Sequence, residues 1–220
     1  MNPTASDVAL MTHTPVEVVP LHGEFVPLQR SGHRFLATGN GLWLEARRPW
    51  VHVVWPLALQ DQVPMPFGLL EPSIQLAFGQ VPARCFAEFA VDARASNPNE
   101  VGGVVVWDEA SGEFGYRQCG TLEASRANVR SLWPELRSGE HVVCDIHSHG
   151  RDSAFFSPTD KRDMGATVVI ACVLGLIDRE TPDIALALFV CGVEIRCAVP
   201  QQVTSACRRG AVVSADMSAT

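Results

Sequence analysis

The chain has 220 residues, the length of one domain or of one domain with an appendage, and enough to bury a real core. Hydrophobic residues make up 47% and charged residues 19%, a globular balance that excludes a polar disordered chain. The formal net charge of -7 leaves no overall basic field for a nucleic-acid backbone. No apolar run reaches the roughly 18 residues of a membrane span, since the longest, Ala166 to Ile177, is broken by Thr167 and Gly175.

Met1 to Pro20 lacks the basic start and apolar block of a secretory signal, so a soluble, cytoplasmic protein is expected, with no membrane partner. Cysteines at 85, 119, 144, 172, 191, 197 and 207 form no CxxC pair, which argues against a disulfide framework and a zinc ribbon and for reduced, mostly buried thiols.

Residues 1–22 carry little pattern and read as a flexible arm. From Phe35 the chain alternates into a hairpin whose turn is Gly39-Asn40-Gly41, with a third strand at Trp50 to Trp55. Prolines 56, 64, 66 and 72 argue against regular structure until Ser73 to Phe78, a short strand. Residues 23–80 therefore read as a β-rich unit. After Pro82 the apolar spacing of Cys85, Phe86, Phe89 and Ala93 predicts an amphipathic helix that stops before Asn97-Pro98. Glu100 leads into the apolar run Val101 to Trp107, and a turn over 108–115 returns the chain as Phe114 to Gln118. Residues 123–137 read as loop and short helix.

His141 to His149 predicts a strand with Val142, Cys144 and Ile146 on one face and Val143, Asp145, His147 and His149 on the other. A loop follows, and then Ser157-Pro158-Thr159-Asp160 has the form of a capped helix start, the helix ending near Met164-Gly165. Strands at Val168 to Leu176, Ile184 to Val190 and Val193 to Val199 complete residues 81–199, and 200–220 read as a flexible tail.

Chemistry concentrates in residues 147–160, where the pattern is HxH, seven residues, Ser, two residues, Asp. Alternate strand residues project from one face about 6.5–7 Å apart, so the two imidazoles can converge on one ion, with Asp160 swinging back from the helix. Two imidazoles and a carboxylate suit Zn2+ and leave a fourth position open, the catalytic rather than the structural arrangement. A zinc held in this way supplies a nucleophilic water at neutral pH. Ser157, at the helix start, can donate to a developing oxyanion. Ser157 and Asp160 alone are more often just a helix cap, and the two histidines alone more often a polar strand face than ligands. Jointly, the four residue types coincide by chance in on the order of one such chain in a thousand, which favours the ligand reading. Hydrolysis also needs a carboxylate outside the metal shell to carry protons. HExxH and PCxxC zinc patterns are absent, and His13, His22, His33, His52 and His141 stand alone.

The ungapped match at His147, His149, Ser157 and Asp160 resembles the JAMM, or MPN-type (JAB domain), zinc peptidases. The resemblance spans about Pro82 to Val199. It implies an α/β fold with a mixed, curved sheet flanked by helices, like that of the cytidine deaminases, here with an N-terminal β-rich extension. It also implies zinc on His147, His149 and Asp160, with Ser157 catalytic. The family's upstream glutamate, in a stretch like Glu-x-x-Gly before apolar residues, corresponds to Glu100 as general acid/base, with Glu88 and Glu109 as poorer alternatives. The family's usual proline after the second histidine is Gly150 here, a change expected to loosen the loop. More narrowly, Gly41 to Trp50, Val106 to Asp108 and Val143 to Gly150 are similar to a bacterial family of the PRTRC systems. That resemblance implies a ThiF-related, E1-like partner and cleavage of a protein or peptide substrate after a ubiquitin-like C-terminus. The alternative expectation is a non-hydrolytic scaffold that retains the fold.

Overall fold

The computed structural model describes residues 3–62, 65–124 and 129–211, with backbone alone over 121–124 and 129–132. These residues form two compact units, 1–79 and 80–220.

The first unit holds helix α1 (Ala5–His13) and a five-stranded sheet in the order β1 (Val16–Val18), β2 (Gly32–Thr38), β3 (Gly41–Arg48), β4 (Val51–Leu59), β5 (Ser73–Leu76). β1 runs parallel to β2 and the rest is an antiparallel meander. Leu36, Trp43 and Val54 point to a common core with Val19, against which Phe25 and Leu70 pack. The expected loose arm is here ordered in part. Thr4 and Asp7 close a capping box at the start of α1, and residues 16–18 are paired to β2 by a ladder that sequence alone does not show. β4 also runs through Pro56, where the sequence reading stops it. Pro56 lies beyond the β5 partners, which end at Val54, and next to a bulge in β3, so its missing N–H removes little from the ladder.

The second unit is built on a six-stranded sheet in the order β13 (Val193–Arg196), β12 (Asp183–Val190), β11 (Val168–Gly175), β10 (Glu140–Ser148), β6 (Gly102–Asp108), β7 (Phe114–Gln118). Only β10 and β11 are parallel, so the sheet is mixed and the α/β class expected from the sequence is the one observed. Helix α2 (Ala83–Ser96) buries Cys85, Phe86, Ala87, Phe89, Ala90 and Ala93, the stripe its spacing predicts. Phe89 meets Tyr116 of β7 edge to face at 6.0 Å, and the Tyr116 hydroxyl donates to Asp92. Helix α3 (Pro158–Asp163) is fixed from below, since Phe156 meets Phe189 edge to face at 5.3 Å and Met164 joins Val169, Ala171 and Ala187 in the core.

Two segments differ in kind from the sequence reading. β8 (Gly120–Ala124) pairs antiparallel with β9 (Val129–Leu132) in place of loop and short helix; the expectation for 125–128 lies outside the described residues. The pattern there is polar enough to conceal a ladder whose strength is backbone pairing. Helix α4 (Gln201–Ala206) replaces the start of the expected tail because Val203 and Cys207 are buried and Arg94 of α2 donates to the Cys207 carbonyl at 2.6 Å. Residues 212–220 lie outside the described residues. The seven cysteines are all free thiols. No helix among the described residues is long and apolar enough to cross a membrane.

Candidate metal centre

β10 carries the first histidine. Its antiparallel partner is β6, with His147 opposite Gly102, and its parallel partner is β11, with His147 opposite Val173. Both sides of β10 are thus pinned, and His147 and His149 are 8% and 7% exposed. His149 lies one residue past the strand end, but its N–H still donates to the Leu174 carbonyl at 2.8 Å, which keeps it in step with His147.

The loop after His149 is held in four places. Asp152 N–H donates to the His149 carbonyl, Leu176 N–H to the Asp152 carbonyl, Ile177 N–H to the Gly150 carbonyl, and Ala154 N–H to Asp183 Oδ2. The expected loosening at Gly150 is therefore not found. Gly150 has φ of 55°, a left-handed conformation closed to proline, so glycine here builds a different tight turn. At Gly175 a Cβ would lie 2.4 Å from the Asp152 carbonyl oxygen and the Ala154 nitrogen, so only glycine lets this loop lie on the end of β11.

That loop aims the second imidazole. His149 Nδ1 lies 3.2 Å from the Ser153 carbonyl, an acceptor, so Nδ1 carries the proton and the Nε2 lone pair faces inward. Phe155 packs its edge on the same ring at 4.7 Å while half of its own surface stays exposed.

Asp160 reaches the histidines from α3. In the capping box, Ser157 N–H donates to Asp160 Oδ2 at 2.7 Å and Asp160 N–H donates to Ser157 Oγ at 3.2 Å. One carboxylate oxygen is thereby committed to the cap, and the other, Oδ1, lies 3.7 Å from His147 Nε2. The helix has only six residues, so what Ser157 can offer a ligand is its hydroxyl rather than a helix field.

The donor set fits an ion. His147 Nε2 and His149 Nε2 lie 3.2 Å apart, and ligand atoms of His147, His149 and Asp160 all fall within 4.8 Å of one another. Two nitrogens on a tetrahedral zinc at ordinary bond length stand about 3.3 Å apart. Burial drives the His147 pKa below the ordinary histidine range against the pull of Asp160, with His149 adding to the depression. Its imidazole is therefore neutral at pH 7, the form that ligates metal.

Glu100 stands at the head of β6, only 7% exposed. Burial first, then the charges of Asp160 and Asp152, raise its carboxyl to about 7. Its position is tied to the HxH segment by Ser148, a fully buried residue that sequence reasoning passed over. Ser148 N–H donates to the Val101 carbonyl at 3.0 Å, and Val101 N–H donates to Ser148 Oγ at 3.1 Å. The only prior signal was its place between the two histidines. The alternatives lie elsewhere. Glu109 pairs with His141 at the far end of β6, about 20 Å along the strand by its length. Glu88, on α2, acts on Cys85 and Tyr116.

One further carboxylate shares the histidine face. Asp145 accepts from Trp133 Nε1 at 3.2 Å. Burial raises its pKa to about 6, with the Trp133 N–H opposing and the Asp160 charge adding to the rise.

Comparison with known proteins bears on each unit separately. Residues 82–188 match the family described as prokaryotic homologs of the JAB domain, and residues 4–77 match a domain of unknown function (DUF2016). Among solved structures, the chain is similar to the solution structure of protein DSY2949 from Desulfitobacterium hafniense, at 19% identity over 48% of this chain and 80% of that one, with a TM-score of 0.35. No curated protein matches. Residues 82–188 are thus JAB-like, on the mixed α/β fold described above.

Proposed function

We propose that the 82–188 region is a zinc-dependent metallopeptidase of the JAMM/MPN type that hydrolyses an amide bond, the substrate being a protein joined through the C-terminus of a ubiquitin-like partner. The observation that carries this reading is the convergence of His147, His149 and Asp160 within 4.8 Å, beside the buried carboxyl of Glu100. Zinc, when bound, would polarise a water and the substrate carbonyl.

The chain's own groups supply the rest. His147 and His149 present Nε2, and Asp160 presents one oxygen while its other is locked in the cap. Glu100 with a pKa of about 7 is poised both to take a proton from the attacking water and to return it to the leaving amine. The Ser157 hydroxyl, whose oxygen already accepts from Asp160 N–H, has its proton free for the developing oxyanion. Matching of the 82–188 region to JAB homologs supports the same assignment.

The finer context follows from resemblance to the PRTRC systems, in which a ThiF-related, E1-like enzyme would activate the ubiquitin-like C-terminus that this protein cleaves. Cleavage is tested with a ubiquitin-like protein of the same gene cassette fused through its C-terminal glycine. Zinc-dependent release of the fusion partner, abolished by chelation and by Glu100→Gln, supports the reading. A zinc-loaded chain that cleaves no such amide favours a scaffold.

A further inference from the structure

Asp145 has no part in the hydrolysis just described, yet it lies on the same strand face. It precedes His147 by two residues on β10, which places the two Cβ atoms about 6.5–7 Å apart. Its neighbours Cys144 and Ile146 are fully buried on the opposite face, whereas Asp145 is half-buried. Trp133, which follows β9, donates from Nε1 to Asp145 Oδ2 and keeps 43% of its surface exposed. Asp145 therefore has one oxygen fixed by the indole and, among the described side chains, the other to offer, beside an exposed aromatic surface.

Among the described side chains, the carboxylate has no cationic partner. Three other partly or wholly buried carboxylates have one: Glu45 has Arg34, Glu140 has Arg117, and Glu194 has Lys161 and Arg196, while Asp92 has the Tyr116 hydroxyl and Glu100 belongs to the candidate metal centre. Among the described residues, no lysine, arginine or histidine forms an ion pair with Asp145. A partly desolvated carboxylate gains most from a partner that brings positive charge. An indole beside it adds affinity for an alkylammonium or guanidinium group through its π face and covers the aliphatic stem.

We propose that Asp145 and Trp133 form a specificity subsite that takes a lysine or arginine side chain of the substrate close to the scissile bond. The inference rests on the reading of His147, His149 and Asp160 as the metal centre. An extended peptide repeats its side chains on one face every 6.5–7 Å or so, the spacing of Asp145 from His147. The cationic side chain therefore sits two residues from the one at the metal, and the Trp133 N–H holds the carboxylate in the orientation that receives it.

The test separates binding from turnover. The zinc-loaded Glu100→Gln chain, blocked in hydrolysis, is titrated by fluorescence anisotropy with labelled Ala/Gly peptides that carry a single lysine, or norleucine in its place, at each position in turn. At one position lysine is expected to bind about 10-fold tighter than norleucine, with the ratio falling towards one when salt is raised. Adding Asp145→Asn, which keeps the acceptor for Trp133, should abolish the preference with zinc content and thermal midpoint unchanged. An undiminished preference in Asp145→Asn, or none at any position in its Asp145 parent, overturns the subsite. The two readings fail separately. Amide cleavage by the Glu100 parent with no preference for a cation removes the subsite alone. A cation preference that depends on Asp145, in a chain whose Glu100 parent cleaves no amide, removes the hydrolase reading alone.

Discussion

In the 1–79 unit, Glu45 is fully buried beside His52; in the 80–220 unit, Asp160 reaches over the buried His147 and His149. Both clusters join a carboxylate to imidazole in a low-dielectric place, and they differ in how completely the polar atoms are used. Glu45 accepts from Leu28 N–H at 2.7 Å, from Arg34 Nε at 2.6 Å, and bonds His52 Nε2 at 2.8 Å. Arg34 spends its remaining reach on Glu17 and the Val26 carbonyl. Nothing is left to bind a ligand, and the cluster is a clamp that ties β2, β3, β4 and the 26–28 segment together. In the second cluster, two imidazole nitrogens and one carboxylate oxygen face one another, and among the described residues no lysine, arginine or backbone N–H bonds to them. Completeness of hydrogen bonding, more than burial or residue type, separates a structural charge cluster from a set of groups able to hold an ion.

The strongest way to break this comparison is to remove a converging ligand. His149→Ala is expected to lose zinc and reduce amide cleavage to background, checked by metal analysis and the fusion assay, because two ligands do not hold a catalytic zinc. Glu100→Gln comes next. It should retain zinc while turnover falls about 10²- to 10⁴-fold. The pH profile belongs to the same residue. A raised carboxyl stays protonated below its pKa, so kcat/KM should fall about tenfold per unit as pH drops below a limb lying between Glu100's ordinary 4.5 and about 7, since a bound dication draws that limb down. The metal-free fold responds in the opposite sense. Glu100 binds its proton more tightly folded than unfolded, so its contribution to stability is present below 4.5 and lost as pH rises through about 7. Chemical denaturation at several pH values, with Glu100→Gln as the reference that lacks the trend, checks this.

How much of the comparison was legible beforehand follows from range. His147, His149, Ser157 and Asp160 sit within 14 positions, inside one strand–loop–helix unit, so alternation and cap chemistry were enough to bring them together. The α2 stripe and the hairpin at Asn40-Gly41 were legible for the same reason. The Glu45 clamp was not, because it joins Glu17, Arg34, Glu45 and His52, and His52 read as an isolated histidine until β3 and β4 were paired. Ser148 was hidden in plain sight, since its role exists only once β6 lies alongside β10. α4 and the β8–β9 hairpin escaped for lack of a strong apolar period, their places being fixed by Arg94 and by backbone pairing.

The clamp provides a third test. Glu45→Ala leaves the Arg34 guanidinium buried without its main partner and should destabilise the 1–79 unit by about 3–5 kcal/mol in urea unfolding. Zinc stoichiometry of the folded variant should stay unchanged, since Glu45 donates nothing to the ion. The smallest expected effect is Ser148→Ala. Losing the acceptor for Val101 N–H should cost about 1 kcal/mol in stability, and turnover should fall several-fold with zinc retained as Glu100 loosens.

Zinc content after exhaustive dialysis, measured by plasma mass spectrometry on the parent chain and on a His147→Ala/His149→Ala variant, tests the central claim most directly. One zinc per parent chain, removed by chelator and absent from the variant, is the predicted result. A parent free of zinc after loading, or a variant that holds as much zinc as the parent, would contradict the account.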